Sequence, residues 1–271
     1  MQSKITGGET ELMFTARVLN KYDVKFYRCK DTGFIQTEEP YWLADAYSSA
    51  ITKLDVGMGY RNQQLADRTA KLLVSGFNKN GKFLDYAGGY GLFTRLMRDN
   101  GFNFYHTDPY CQNIFAEYFD LNTLPNAERF EMVTAFEVFE HLANPLQDIK
   151  TMLGYSYNLL FSTELQPEGI SSVEDWSYFS TETGQHVAFY TEAALKAIAD
   201  KLGYNFYTDG RFLHLFTQTQ FDKNPLAPVR DSFLLRKAKK YIAKAERRAG
   251  QPESLLMRDW QFIKDKLNGK G

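Results

Sequence analysis

A chain of 271 residues with 44% hydrophobic and 24% charged side chains can bury a substantial core as one large domain or two small ones, which excludes wholesale disorder and fibrous repeats. Two cysteines, no secretory hydrophobic segment near the start and no apolar run long enough for a bilayer make a soluble, cytoplasmic setting the expectation. The formal charge of −1 hides a gradient: thirteen of the thirty-two basic residues but only six of the thirty-three acidic ones follow Phe221, so a basic tail follows an acidic body.

Up to about Gln36 the pattern is weak, with β-like pieces around Val24 to Cys29 and a turn at Asp31-Thr32-Gly33. Apolar residues at helical spacing predict helices over Tyr41 to Leu54 and Arg61 to Val74, separated by Gly57-Met58-Gly59. Strands at Phe83–Ala87, Phe102–Thr107, Met132–Phe136 and Asn158–Ser162 then alternate with helices at Leu92–Asn100, Asn113–Phe119 and Leu146–Leu153. Strands separated by helices need crossover connections, which predicts an α/β fold with a mainly parallel sheet. After a helix at Thr191–Leu202, stopped by Gly203, the strands Tyr204–Thr208 and Arg211–Thr217 flank Asp209-Gly210, a hairpin signal. Pro225 and Pro228 mark a linker to a basic helix, Phe233–Ala249, and a last helical piece near Leu255–Leu267. The expected segments are 1–75, 76–221 and 222–271.

Phe83-Leu84-Asp85-Tyr86-Ala87-Gly88-Gly89-Tyr90-Gly91 carries a strand straight into a glycine-rich turn and a helix. Missing side chains at Gly89 and Gly91 let a ligand pack on backbone. The dinucleotide pattern Gly-x-Gly-x-x-Gly fails here: begun at Gly89 it meets Thr94 at its third glycine, and begun at Gly88 it meets Tyr90 at its second. Asp108 follows the next strand, where an acid can accept from both ribose hydroxyls or cap the chain ahead.

With Ala87 in the place of the first glycine, the loop resembles that of class I S-adenosylmethionine-dependent methyltransferases. Glu137-Val138-Phe139-Glu140-His141-Leu142 with Asn144-Pro145, and Gly184-Gln185-His186-Val187, look like the later segments of that family, in its order. The resemblance covers about Phe83 to Thr217. It implies a Rossmann-like, seven-stranded sheet ending in an antiparallel hairpin, with a helical lid before it and a basic helical extension after it. It also implies S-adenosylmethionine as cofactor, held by Asp85, Ala87, Gly88, Gly89, Gly91, Asp108, Glu137 and, from the lid with Trp42, Tyr47 and Asn62, by Arg61.

A looser similarity of Tyr27 to Gly33, Pro40-Tyr41-Trp42 and Arg61-Asn62 points to bacterial methyltransferases of sugars and surface glycans. Those relatives carry a zinc-binding Cys-x-x-Cys, whereas this chain has Cys29 followed by Thr32, so no metal is expected. The implied reaction is O-methylation of a sugar hydroxyl on a nucleotide sugar or surface-glycan precursor. His186 is the first candidate for its general base and His141 the second, with Glu140 orienting a histidine or binding substrate. Trp176, Tyr178 and Gln185 are candidate acceptor contacts. C- or N-methylation of another small molecule, and a non-catalytic binding role on the same fold, remain alternatives. The basic helix, including Arg236, Lys237, Lys240 and Arg247, is either a solvated face or a contact for an anionic surface, and its apolar side packs on the domain or on another subunit of a homo-oligomer. The acidic body argues against nucleic acid as a partner.

Overall fold

The computed structural model describes residues 1–48, 56–124, 129–227 and 252–267. In chain order these form β1 (Thr10–Val18), β2 (Tyr22–Cys29), β3 (Ile35–Thr37), α1 (Leu43–Ala46), α2 (Met58–Gly76), β4 (Lys82–Tyr86), α3 (Leu92–Asp99), β5 (Asn103–Thr107), β6 (Met132–Ala135), α4 (Pro145–Tyr155), β7 (Asn158–Ser162), β8 (Ala188–Phe189), α5 (Glu192–Leu202), β9 (Asn205–Thr208), β10 (Leu213–Thr217) and α6 (Leu256–Leu267). The strand orders are β1-β2-β3-β8 and β5-β4-β6-β7-β10-β9. The second is the expected α/β sheet: β4 runs parallel to β5 and β6 to β7, and β10 is antiparallel to both β7 and β9. Two compact units divide the chain, one of Met1–Asp55 with Val133–Leu226 and one of Val56–Met132 with Ala227–Gly271.

The α/β sheet has six strands among the described residues, not seven. Next to β5 the chain makes only an isolated parallel bridge, His106 to Asp120. The segment leading to it, expected as a helix over Asn113–Phe119, is irregular. Its backbone groups are taken by a side chain: Asn113 Oδ1 accepts from Ala116 N at 2.9 Å, and its amide donates to Ala116 O and Asp120 Oδ1. Tyr118 adds a left-handed φ of 71°. Local side-chain bonds of this kind compete with both helix and ladder.

In the unit that begins at Met1, β6, β7 and β10 are buried at every position, their apolar residues interrupted only by buried polar ones such as Thr134, Asn158, Ser162, His214 and Thr217. Thr191 Oγ1 caps α5 by accepting from Ala194 N, and Gly203, at φ 77°, ends it. The expected hairpin of β9 and β10 is present, but Asp209 Oδ1 accepts from the amides of Arg211, Phe212 and Leu213, building a wider loop than a two-residue turn. The weak amino-terminal pattern resolves into the long β1–β2 hairpin, whose turn holds Leu19 and Asn20 at φ 54° and 53° without a glycine to announce it. Phe26, Phe179, Phe189 and Trp176 make an aromatic core on this small sheet. Trp42, expected on a lid, is buried in the same core and donates its indole N–H to Gly184 O. Of the helix expected over Tyr41–Leu54 only the four residues of α1 form within the described chain, and residues 49–54 lie outside it.

In the other unit α2 spans the expected Arg61–Val74 and starts earlier, at Met58. Phe83 stacks on Phe104 at 5.0 Å, and Phe102 and Phe93 meet these rings edge-on. The last helical piece appears as α6, tied down by Asp259 on the buried Arg98. The basic helix expected over Phe233–Ala249 lies outside the described residues. No helix among the described residues is long and apolar enough to cross a membrane.

Candidate active site

The site residues anticipated from the sequence fall into two groups, one in each unit. In the unit that begins at Val56, β4 delivers Asp85 into a buried position where its Oδ2 accepts from Thr94 Oγ1 at 3.1 Å. The turn that follows starts with Ala87 at φ 54°, a left-handed conformation that costs a residue with a Cβ and that the usual glycine would adopt freely. At Gly88 the requirement is spatial: a Cβ there would collide with the Asp85 carboxylate and come within 2.8 Å of the His106 ring. Gly91, at φ 83°, opens α3, and a Cβ on it would strike Asn113 Oδ1.

Asp108 closes this cradle. Its Oδ2 accepts from Gly89 N at 2.9 Å and its Oδ1 from the amides of Tyr110 and Cys111 at 2.7 and 2.8 Å. The capping role foreseen for Asp108 is thus present, and Oδ2, which accepts only from Gly89 N, keeps a lone pair for a further donor. His106, which sequence reading missed, bonds Gly89 O through Nε2 at 2.9 Å and Asp120 Oδ1 through Nδ1 at 3.3 Å. The signal was available: His106 lies two residues before Asp108 along β5 and its exit, so the alternation of a strand puts both on one face. Arg61 lies on the first turn of α2, half-buried.

In the unit that begins at Met1, the chain leaves β6 through Glu137, which has a left-handed φ of 56°. Ser162 at the end of β7 holds it by accepting from Glu137 N and donating to its Oε1, both at 2.8 Å. A single 3-10 turn, Phe139–His141, then presents Glu140, which is buried, and His141. That turn is pinned by Val187 N donating to Glu140 O at 2.8 Å, which brings the Gln185-His186 segment alongside. The two imidazoles meet edge-on with centroids 4.9 Å apart. His141 Nδ1 lies 3.1 Å from Gln185 O and His186 Nδ1 2.6 Å from Tyr178 O. A carbonyl only accepts, so each Nδ1 carries the proton and each neutral ring leaves a lone pair on Nε2.

Glu140, His141, His186, Tyr178 and Gln185 are therefore brought together, whereas Trp176 serves mainly the aromatic core. The Gln185 amide donates to Ala46 O, so it braces the loop. Tyr178 stacks on Trp176 and meets His186 edge-on, and its hydroxyl accepts from Glu164 N at 3.2 Å. Burial, followed by the charges of Glu140 and Glu137, raises the Tyr178 hydroxyl well above its ordinary value, so it stays protonated. Burial lowers His141, and burial with the neighbouring His141 lowers His186 from 6.5 to about 3. Cys29 is buried against Thr6, and although burial pushes its thiol up, bonds from Ser3, Thr32 and Thr6 bring it net down to about 7.

The histidine shifts set a pH dependence. Between about pH 3 and 6.5 the folded chain binds fewer protons at His186 than the unfolded chain, so this contribution to stability is complete above pH 6.5 and is lost as the pH falls through that window. Melting temperatures of wild type and His186→Gln, compared from about pH 7.5 down to about pH 4, are expected to converge at the acid end. A constant difference between them across the range would remove His186 from this account.

A family model described as a methyltransferase domain matches residues 58–208, more than half of the chain. No curated protein matches it in sequence. Among solved structures, an O-methyltransferase family protein from Burkholderia thailandensis is 14% identical with a TM-score of 0.46, over 61% of this chain and 58% of its own. Magnesium protoporphyrin IX methyltransferase from Synechocystis PCC 6803, with bound SAH, is 17% identical with a TM-score of 0.44, over 66% of this chain and 98% of its own. An O-methyltransferase family 2 protein from Planctomyces limnophilus, in complex with apigenin, is 13% identical with a TM-score of 0.40, over 64% of this chain and 63% of its own. The chain spans less than two thirds of the first and third of these proteins. With the match running from α2 through the glycine turn, Asp108, Glu140-His141 and Gln185-His186 to the end of β9, the chain belongs to the methyltransferase-domain family.

Proposed function

We propose that the protein transfers a methyl group from S-adenosylmethionine to a hydroxyl oxygen of a small molecule, and that this acceptor is a sugar carried on a nucleotide or a surface-glycan precursor. The observation that carries the reading is the bond from Gly89 N to Asp108 Oδ2, which couples the glycine turn to the acid after the second strand. An acid held there suits ribose hydroxyls, and a turn without side chains suits close packing of a nucleoside. Asp85, Ala87, Gly88, Gly91, Glu137 and Arg61 are assigned to the same cofactor.

In the reaction the acceptor oxygen attacks the methyl carbon in line, the carbon–sulfur bond breaks and its electron pair returns to sulfur, and the acceptor loses one proton. His186 first, and His141 after it, are assigned to that proton, with Glu140 and Tyr178 at the acceptor end and Trp176 supporting it through its stack on Tyr178. Their neutral imidazoles accept hydrogen bonds through Nε2 near neutral pH. Gln185 in the place of an acid favours oxygen over carbon as the acceptor, because its amide is neutral and already engaged with Ala46 O.

Calorimetric titration with S-adenosylmethionine tests the reading, and transfer of labelled methyl to a panel of sugar nucleotides tests its narrower part. No heat at millimolar cofactor would overturn it, and labelling of amines or carbon acids instead of hydroxyls would replace the acceptor. Gly88→Ala is expected to weaken cofactor binding by about ten- to a hundredfold, since overpacking of about 1–3 kcal/mol falls on Asp85 and His106. Unchanged affinity in that variant would show that the turn relaxes at no cost.

A further inference from the structure

We propose that Glu140, His141 and His186 bind a divalent transition-metal ion of the zinc, iron or cobalt class, through one carboxylate oxygen and the Nε2 atoms of the two imidazoles. One ligand-capable atom from each of the three side chains lies within 4.8 Å of the other two. A tetrahedral ion with bonds of about 2.0–2.1 Å spaces its ligands about 3.4 Å apart, so even the widest pair has to close by no more than about 1.4 Å to seat it. Two imidazoles and one carboxylate on one side of an ion form a set that suits zinc or iron and leaves further positions open.

The surroundings of the ligands support the same conclusion. Ligating histidines are held by a hydrogen bond from the other ring nitrogen, which fixes both the tautomer and the direction of the lone pair. Here both rings have that support from backbone carbonyls, His141 from Gln185 O and His186 from Tyr178 O. The two supports come from the stretch that also carries His186, and the Val187 N to Glu140 O bond locks this stretch to the turn bearing Glu140 and His141. The three ligands are thus linked by backbone bonds, as a preorganised site requires.

The identity of what fills the open positions rests on the methyltransferase reading. An ion bound by three protein groups accepts one or two oxygens from outside, which fits neighbouring hydroxyls of a sugar. With an ion bound, the Nε2 lone pairs of His141 and His186 are committed to it, so the proton-accepting role assigned to them belongs to the ion-free site; the ion instead acidifies the acceptor hydroxyl, and water takes the proton. Ion binding itself does not depend on that reading, and the experiment keeps the two apart.

Chelator-treated full-length protein is titrated with cobalt(II) alone, and the visible d–d absorption is followed. The expected result is one ion per chain, the bands of a nitrogen- and oxygen-bound ion, and displacement of cobalt by zinc(II). His141→Gln, His186→Gln and Glu140→Gln are each expected to weaken binding by at least tenfold to a hundredfold, while Cys29→Ser and Cys111→Ser leave it unchanged. Absence of d–d bands in the wild-type protein, bands that survive all three ligand substitutions, or thiolate-to-cobalt charge transfer that vanishes with a cysteine would each overturn the proposal. If wild-type protein binds S-adenosylmethionine but no cobalt, the ion alone is refuted. If it binds cobalt but no S-adenosylmethionine, only the methyl-transfer reading falls.

Discussion

Exchanging His186 for glutamine is expected to lower turnover by about a hundred- to ten-thousandfold, the range for losing a positioned proton-handling group, and to leave cofactor affinity within about threefold. Glutamine keeps the length and polarity of the side chain and can still bond Tyr178 O, so the loop between Tyr178 and Val187 retains its anchor. What it lacks is an sp2 nitrogen lone pair able to accept a proton or bind an ion. The cofactor residues Asp85, Gly89 and Asp108 are held by a separate set of bonds, from Thr94, Tyr110 and Cys111, in which His186 takes no part. Turnover and S-adenosylmethionine affinity measured on the same preparation check both halves. Wild-type turnover in the variant would remove His186 from the chemistry, and a matching loss of cofactor binding would mark a general structural defect. His141→Gln is expected to lose turnover less steeply, because burial also keeps that ring neutral but its Nδ1 bond to Gln185 O is longer, at 3.1 Å against 2.6 Å.

Much of this arrangement is legible in the sequence because it is written in local chemistry. The alternation of apolar runs with helical spacing marks β4, α3, β5, β6, α4, β7 and α5 within a few residues, and Gly203 marks the stop of α5. What was missed depends on partners distant in the chain. β8 is two residues long and exists because Ala188 and Phe189 pair with Gln36 and Ile35, more than 150 residues earlier. The seventh strand was expected from resemblance, and the bonds of Asn113 to Ala116 and Asp120 reduce that region to one bridge. The grouping of Glu140-His141 with His186 joins two segments over 40 residues apart, and no spacing rule for metal ligands reaches across that interval. Trp42 differs in kind: resemblance placed it on a helical lid, whereas Gly184 O gives its indole a buried partner.

Asp259→Ala is expected to destabilise the protein by about 3–5 kcal/mol, the range for stripping one partner from a buried ion pair. Arg98 is 1% exposed and Asp259 2% exposed, so neither charge is solvated by water. The carboxylate takes the guanidinium in a fork, Nε to Oδ2 at 2.7 Å and Nη2 to Oδ1 at 2.8 Å, and Arg95 adds a third contact at 3.1 Å. The remaining donors on Nη1 reach Asn103 Oδ1 and Phe104 O, and the group lies 3.5 Å from the centroid of the Phe119 ring. Those contacts prevent the guanidinium from swinging out to water when the acid is removed, which is why the loss exceeds that of a surface pair. Replacing both charges, as Arg98→Met with Asp259→Leu, is expected to recover most of the stability, since the net worth of a desolvated pair is far smaller than the cost of half of it. Urea unfolding of the two single variants and the double variant separates these terms. A loss below about 1 kcal/mol in Asp259→Ala would show that the pair behaves as an exposed one, and that α6 is held by its contacts at Leu255 and Phe262 instead.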